Sequence, residues 1–138
     1  MAPQQLAYGT IIRTTLPFDV AILRAKEELK AEGFGVLCEI DVAKTMKEKL
    51  GVESAPYTIL GACNPTLAHR ALGAEPHLGL LLPCNVVVSA SEGGTEISAI
   101  DAGAMMAFVG NAALDPIAAE VNQRLARVLE RLALPTSD

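Results

Sequence analysis

The stretch PYTILGACNPTLAHRALGAEPHLGLLLPCNVVVSA, residues 56–90, decides the fold predicted for this chain of 138 residues. Residues 57–62 are short, apolar and partly β-branched, which predicts a buried strand. Asn64 can cap a helix with its side-chain oxygen, and Pro65 stands at the first helical position, where a missing N–H costs nothing. We expect this helix to end at Gly73.

The second half of the stretch repeats a cysteine-asparagine pair without repeating the structure. Residues 78–82 are continuously apolar, and Pro83 then interrupts the run before residues 86–88 resume as a strand. A proline inside a strand predicts an edge strand or a bulge. If the two strands are neighbours, Cys63-Asn64 and Cys84-Asn85 lie close together.

The flanking sequence extends this strand and helix pattern in both directions. Upstream, it predicts a strand over residues 6–14, a helix from Pro17 to Gly33, a strand over 34–40 and a helix from Asp41 to Gly51. Downstream, it predicts a hairpin joining residues 86–90 to 95–100, a short helix within 101–110 and a last helix from Asp115-Pro116.

Together these elements predict one α+β domain over residues 1–138. Strands alternate with helices through the first three units, and a hairpin then breaks the alternation. We therefore expect two layers: a mixed sheet of about five strands, with helices packed mainly on one face.

Composition and charge limit the classes of function. The net charge is −5 without a basic cluster, so nucleic acid and anionic membranes are not expected partners. No apolar run reaches the roughly 20 residues that span a bilayer. The first 13 residues lack the basic and apolar regions of a signal peptide, which favours a cytoplasmic location. Three cysteines, an odd number, favour reduced thiols over a disulfide framework.

Three motifs carry a resemblance to a known family: Glu-Ile-Asp-Val at residues 39–42, Leu-Gly-Ala-Cys-Asn-Pro at 60–65 and Leu-Leu-Pro-Cys-Asn-Val at 81–86. Their joint occurrence resembles the bacterial and archaeal domain-of-unknown-function family 302, over about residues 12–132. The resemblance implies a small α/β domain, commonly a homodimer, without a settled biochemical activity. One departure is Asp101-Ala102-Gly103, where the family often has Asp-Pro after the last strand.

Cys63 and Cys84 are the first candidates for a site. Cys63 comes just before a predicted helix N-terminus, which can lower the pKa of a thiol and make it a nucleophile. Asn64 and Asn85 would orient a ligand through their amides. Alternatively, each cysteine is a small buried hydrophobe, and each asparagine satisfies backbone groups at a turn. Cys38 alternates with apolar neighbours in its strand and is expected in the core.

Glu39 is the second candidate, because it is an acid inside an otherwise apolar strand. If its face of the sheet is covered, burial would raise its pKa and make it a plausible proton donor. If that face is open to water, Glu39 is merely the polar half of an alternating strand. Tyr57 and Asp41 are expected near it, and Tyr57 is a further candidate for ligand binding.

No metal site is predicted from the histidines or methionines. His69 and His77 do not fall in a zinc-binding spacing, and no haem-attachment motif is present. Met105 and Met106 fit packing better than axial ligation.

The hypotheses for function follow from these candidates. The first is a cytoplasmic, homodimeric binding or accessory domain with a small-ligand pocket near the two Cys-Asn turns. The alternative is a thiol-based redox protein or enzyme that uses Cys63. A third hypothesis is non-covalent haem or metal binding. The sequence identifies no cofactor, substrate or reaction.

Overall fold

The computed structural model describes residues 3–133, so residues 1–2 and 134–138 of the predicted domain lie outside it. Six strands are β1 (Gln4–Leu6), β2 (Gly9–Thr14), β3 (Gly35–Asp41), β4 (Tyr57–Cys63), β5 (Cys84–Ser91) and β6 (Gly94–Ile100). Five α-helices are α1 (Phe18–Ala31), α2 (Val42–Leu50), α3 (Pro65–Ala74), α4 (Ala102–Ala107) and α5 (Asp115–Ala133). Two 3-10 turns span Pro76–Leu81 and Ala112–Leu114.

The strands form one sheet in the order β1-β2-β6-β5-β4-β3, with every neighbouring pair antiparallel. The α+β prediction is confirmed, but the sheet has six strands instead of about five, and its pairing is not mixed. The strand predicted over residues 6–14 is the hairpin of β1 and β2, with its turn at Ala7 and Tyr8. Helices α2 and α3 each join neighbouring strands that run in opposite directions, so neither is a parallel crossover.

One face of the sheet carries the core. The buried side chains of this face on β4, β5 and β6 alternate along each strand: Thr58, Leu60, Ala62, Cys84, Val86, Val88, Thr95, Ile97 and Ala99. Helices α1 and α5 contact each other and the strands. The buried stripe of α5 includes five residues whose spacing in the sequence predicts one helical face: Ile117, Val121, Leu125, Val128 and Leu132.

The opposite face carries half-buried and exposed side chains. The register aligns Ile11, Ser98, Val87, Ile59 and Ile40 in one row across five strands. This row is apolar except for Ser98, and Ile40 at its end is 46% exposed.

A bulge in β3 reverses part of the predicted alternation. The register shifts between Val36 and Cys38, so Val36 pairs with Ala62 but Cys38 pairs with Gly61. The extra residue puts Cys38 on the opposite face from Val36. The prediction of a core Cys38 is therefore wrong, and its side chain is exposed.

Pro83 does not interrupt a strand, contrary to the prediction. The apolar run before it forms the 3-10 turn Pro76–Leu81, and Pro83 directly precedes Cys84, the first residue of β5. Because Pro83 stands outside the ladder, its missing N–H removes no sheet hydrogen bond. Strand β5 can therefore lie inside the sheet, between β4 and β6.

Ion pairs connect the C-terminal end of α1 to α5. Glu32 accepts hydrogen bonds from Arg127 and Arg131, and Arg131 also pairs with Glu28. The Arg127 guanidinium, followed by Arg131, holds the pKa of Glu32 below its usual value. Within residues 3–133, no helix is long and apolar enough to cross a membrane.

Candidate functional site

An apolar cavity of about 290 Å³ lies beside the two Cys-Asn turns. Its floor comes from the ends of β4 and β5, and its wall from α3, α4 and the first turns of α5. Its helical wall comprises Leu67, Ala68, Ala71, Leu72, Met106, Ile117 and Val121. Among residues 3–133, no charged side chain lines it.

Asn64 sets the position of the helix that walls the cavity. Its Oδ1 accepts a hydrogen bond from the Leu67 N–H at 3.2 Å, which caps α3 as predicted. Its Nδ2 donates to the Glu32 carbonyl oxygen at 3.5 Å, which ties the start of α3 to the end of α1. The Asn64 amide also lies against Gly33, where a Cβ would come within 3.0 Å of Nδ2. Asn64 is 8% exposed and bonds to the protein through both polar side-chain atoms.

Two alanines on α3 leave the room that the cavity occupies. Ala68 and Ala71 line the cavity with single methyl groups, beside the larger side chains of Leu67 and Leu72. The helical spacing of these four residues in the sequence predicts one apolar stripe but does not predict a cavity. The small residues within that stripe were the available signal.

The structure brings Cys63 and Cys84 to the same cavity. Strands β4 and β5 are neighbours, and Cys84 pairs with Ala62, the residue before Cys63. Cys63 is half-buried, whereas Cys84 is 6% exposed. Burial, with a smaller contribution from the Cys63 charge, raises the pKa of Cys84 from 9.0 to about 11. Cys84 is therefore a neutral thiol at physiological pH.

Leu37 reaches the cavity because of the β3 bulge. It lines the cavity although its side chain is 69% exposed, so it stands at the mouth. Bulges often redirect a side chain beside a site. Leu37, Met106 and the α5 residues were missed by sequence reasoning, because their approach depends on the bulge and on long-range helix packing.

Asn85 and Tyr57 lie away from the cavity. Asn85 pairs with Gly61 and is exposed. Tyr57 pairs with Ser89 at the other end of β4 and is 41% exposed. Neither lines the cavity that Cys63, Asn64 and Cys84 share.

Glu39 also lies apart from the cavity. The bulge places it on the helix-bearing face of the sheet, where its carboxylate pairs with Lys26 Nζ of α1 at 2.7 Å. Its side chain is 42% exposed, so Glu39 is not a buried acid. It shares a shallow groove with Asp41, as expected, but Tyr57 is not among the residues lining that groove.

No cluster of three or more His, Cys, Asp or Glu side chains among residues 3–133 could hold a metal ion. His69 and His77 are both exposed. Of the adjacent residues Met105 and Met106, Met106 is buried and lines the cavity, whereas Met105 is partly buried outside the lining.

Comparison with known proteins identifies the family. Residues 11–132 match the family described as domain of unknown function DUF302, and the chain belongs to this family. A crystal structure of the uncharacterized conserved protein DUF302 from Bacillus stearothermophilus is similar, with 35% sequence identity and a TM-score of 0.84. The match covers 90% of this chain and 97% of that one. No curated protein matches the chain.

The raised pKa of Cys84 predicts an alkaline loss of stability. Between about pH 9 and 11, the unfolded thiol loses its proton while the folded thiol keeps it. The unfolded state then binds fewer protons than the folded state, so the free energy of unfolding falls as the pH rises. The contribution of Cys84 to this free energy is complete below pH 9 and is lost by pH 11, a decrease on the order of 2–3 kcal/mol.

Denaturant unfolding with reductant present, repeated across this pH range, measures the effect. Cys84→Ala should lose less stability over the range than the wild type. Cys38→Ala, which removes an exposed thiol, is the control and should follow the wild type. Equal slopes for the wild type and Cys84→Ala would contradict the burial of this thiol.

Proposed function

We propose that this member of the DUF302 family is a cytoplasmic, homodimeric binding domain whose cavity holds a small, mostly apolar molecule. The cavity between α3, α5 and the β4 and β5 ends is the observation that carries the proposal. Concave, mainly apolar sites with few polar groups are typical of small-molecule binding. The three free cysteines fit a reducing compartment.

The size of the cavity limits the ligand. An apolar cavity of about 150 Å³ accommodates benzene, and this one is about 290 Å³. A molecule with two fused rings, or a short branched chain, fits that volume. Because the described part of the chain puts no charged side chain in the cavity lining, a charged group on an organic ligand would lack an ion-pair partner inside and would have to remain at the mouth near Leu37.

Filling the cavity should abolish binding. Ala68→Leu adds three carbons to a half-buried wall position, so the neutral two-ring dye 1-naphthylamine should no longer fit. We expect the fluorescence of the dye to rise when it binds to the wild type. The apparent affinity of Ala68→Leu for the dye should be lower by at least about tenfold, a difference in binding free energy of roughly 1.4 kcal/mol.

The control for this experiment is His69→Leu, which places the same side chain at the next, exposed position of α3. It should bind the dye like the wild type. Equal dye binding by Ala68→Leu and the wild type, with both folded by circular dichroism, would contradict binding in the cavity.

The homodimer is supported by exposed apolar residues on consecutive elements. Helix α2 has no buried residue, yet Val42, Met46 and Leu50 form an apolar stripe along it. Leu50 is 70% exposed, and Val52 in the following loop is 49% exposed. Helix α2 also contacts β4, where Tyr57 is 41% exposed. A two-fold axis would let this surface cover its own copy on a second chain.

Charge on this surface should separate the two chains. Leu50→Lys should shift the protein from dimer to monomer, because it would place an ammonium group in the apolar contact. Sedimentation equilibrium at micromolar concentration measures the mass. Leu80→Lys is the matched control, since Leu80 is 88% exposed on the 3-10 turn Pro76–Leu81. A wild type that sediments as a monomer, or a dimer that persists in Leu50→Lys, would contradict this interface.

A further inference from the structure

Three sulfur-bearing side chains line the cavity: the thiols of Cys63 and Cys84 and the thioether of Met106. They come from three separate elements, the end of β4, the start of β5 and helix α4. The third thiol of the chain, Cys38, is exposed, and its Sγ lies over Gly61 on the other face of the sheet.

We propose that Cys63, Cys84 and Met106 form a binding site for a monovalent thiophilic cation, Cu(I). Soft thiolate and thioether ligands select Cu(I) over the divalent ions that prefer oxygen or imidazole. The proposal does not require the apolar ligand, because copper binding depends on sulfur donors and ligand binding depends on the free volume.

The surroundings of the sulfurs favour Cu(I) over other ions. The residues that the structure describes contribute no carboxylate or imidazole to the cavity lining, so Mg²⁺, Ca²⁺ and Mn²⁺ would lack their preferred ligands. A structural Zn²⁺ site takes four protein ligands, usually cysteine and histidine. The cavity offers two thiols and no histidine.

The helix after Cys63 helps to accommodate the thiolates. Helix α3 has ten residues, and its N-terminus begins two positions after Cys63. The positive end of its dipole favours negative charge there. Binding converts two thiols to thiolates, forms two S–Cu bonds and releases two protons to solvent, without any change in the oxidation state of copper or sulfur. Met106 would add a neutral third donor.

Anaerobic competition of the full chain with the chromogenic Cu(I) chelator bicinchoninate tests the site. We expect the wild type to withdraw one Cu(I) per chain. Cys63→Ala and Cys84→Ala should each weaken binding by about 100-fold or more, because losing a group that only orients a ligand already costs up to about 100-fold. Cys38→Ala should bind like the wild type.

The two adjacent methionines provide a second, matched comparison. Met106→Leu keeps the buried volume but removes the thioether, so it should weaken Cu(I) binding. Met105 lies outside the cavity lining, so Met105→Leu should bind Cu(I) like the wild type. This pair tests the site even if Cys84→Ala fails to fold. Full Cu(I) binding by both Cys63→Ala and Met106→Leu, or its loss in Cys38→Ala, would overturn the proposal.

The copper and dye experiments fail independently of each other. Ala68→Leu fills the space beside the thiols without removing a sulfur. If the wild type binds the dye but no Cu(I), the copper site is wrong and the apolar site stands.

Discussion

The hydrogen bonds of Asn64 are the constraint on which the cavity depends. They turn the chain from β4 into α3 and hold the start of that helix against the end of α1. The Glu32 carbonyl also accepts a hydrogen bond from Arg124 Nη1 at 2.9 Å, so α5 meets the same point. Three helices are thus fixed together at one end. Because Ala68 and Ala71 cannot reach across the remaining gap, the space beyond the cap stays open.

The same constraint separates the roles of the two cysteines. Cys63 ends β4 just before the cap and stays half-buried, whereas Cys84 begins β5 beneath the helices and is almost fully buried. Desolvation keeps Cys84 protonated well above neutral pH. The cavity thus combines an apolar volume with two thiols of different accessibility. The volume supports the proposed apolar ligand, and the thiols support the proposed Cu(I) site.

Local signals in the sequence were sufficient for most of the fold. The Asn64 and Asp41 caps, the Gly51 stop and the stripe of α5 each depend on residues within a few positions, so these helices could be located, although α3 runs one residue past its predicted end at Gly73. Strand direction was not predictable in the same way. A strand-helix-strand pattern fits both parallel and antiparallel neighbours, and only the three-dimensional packing distinguishes them.

The errors at the site have one main physical source, the bulge in β3. A single extra residue between Val36 and Cys38 moves every later side chain of the strand to the other face. Cys38 therefore left the core, Glu39 turned toward Lys26, and Leu37 reached the cavity mouth. Periodicity alone cannot detect such an insertion.

Crystals of the protein pressurised with xenon would show whether this cavity exists, because xenon binds in empty apolar cavities. We expect a xenon atom beside Cys84, between Ala68 and Val121, and no xenon at that place in Ala68→Leu. Xenon absent from this space in the wild type, or side chains collapsed into it, would contradict the existence of a ligand-sized apolar cavity beside the two thiols.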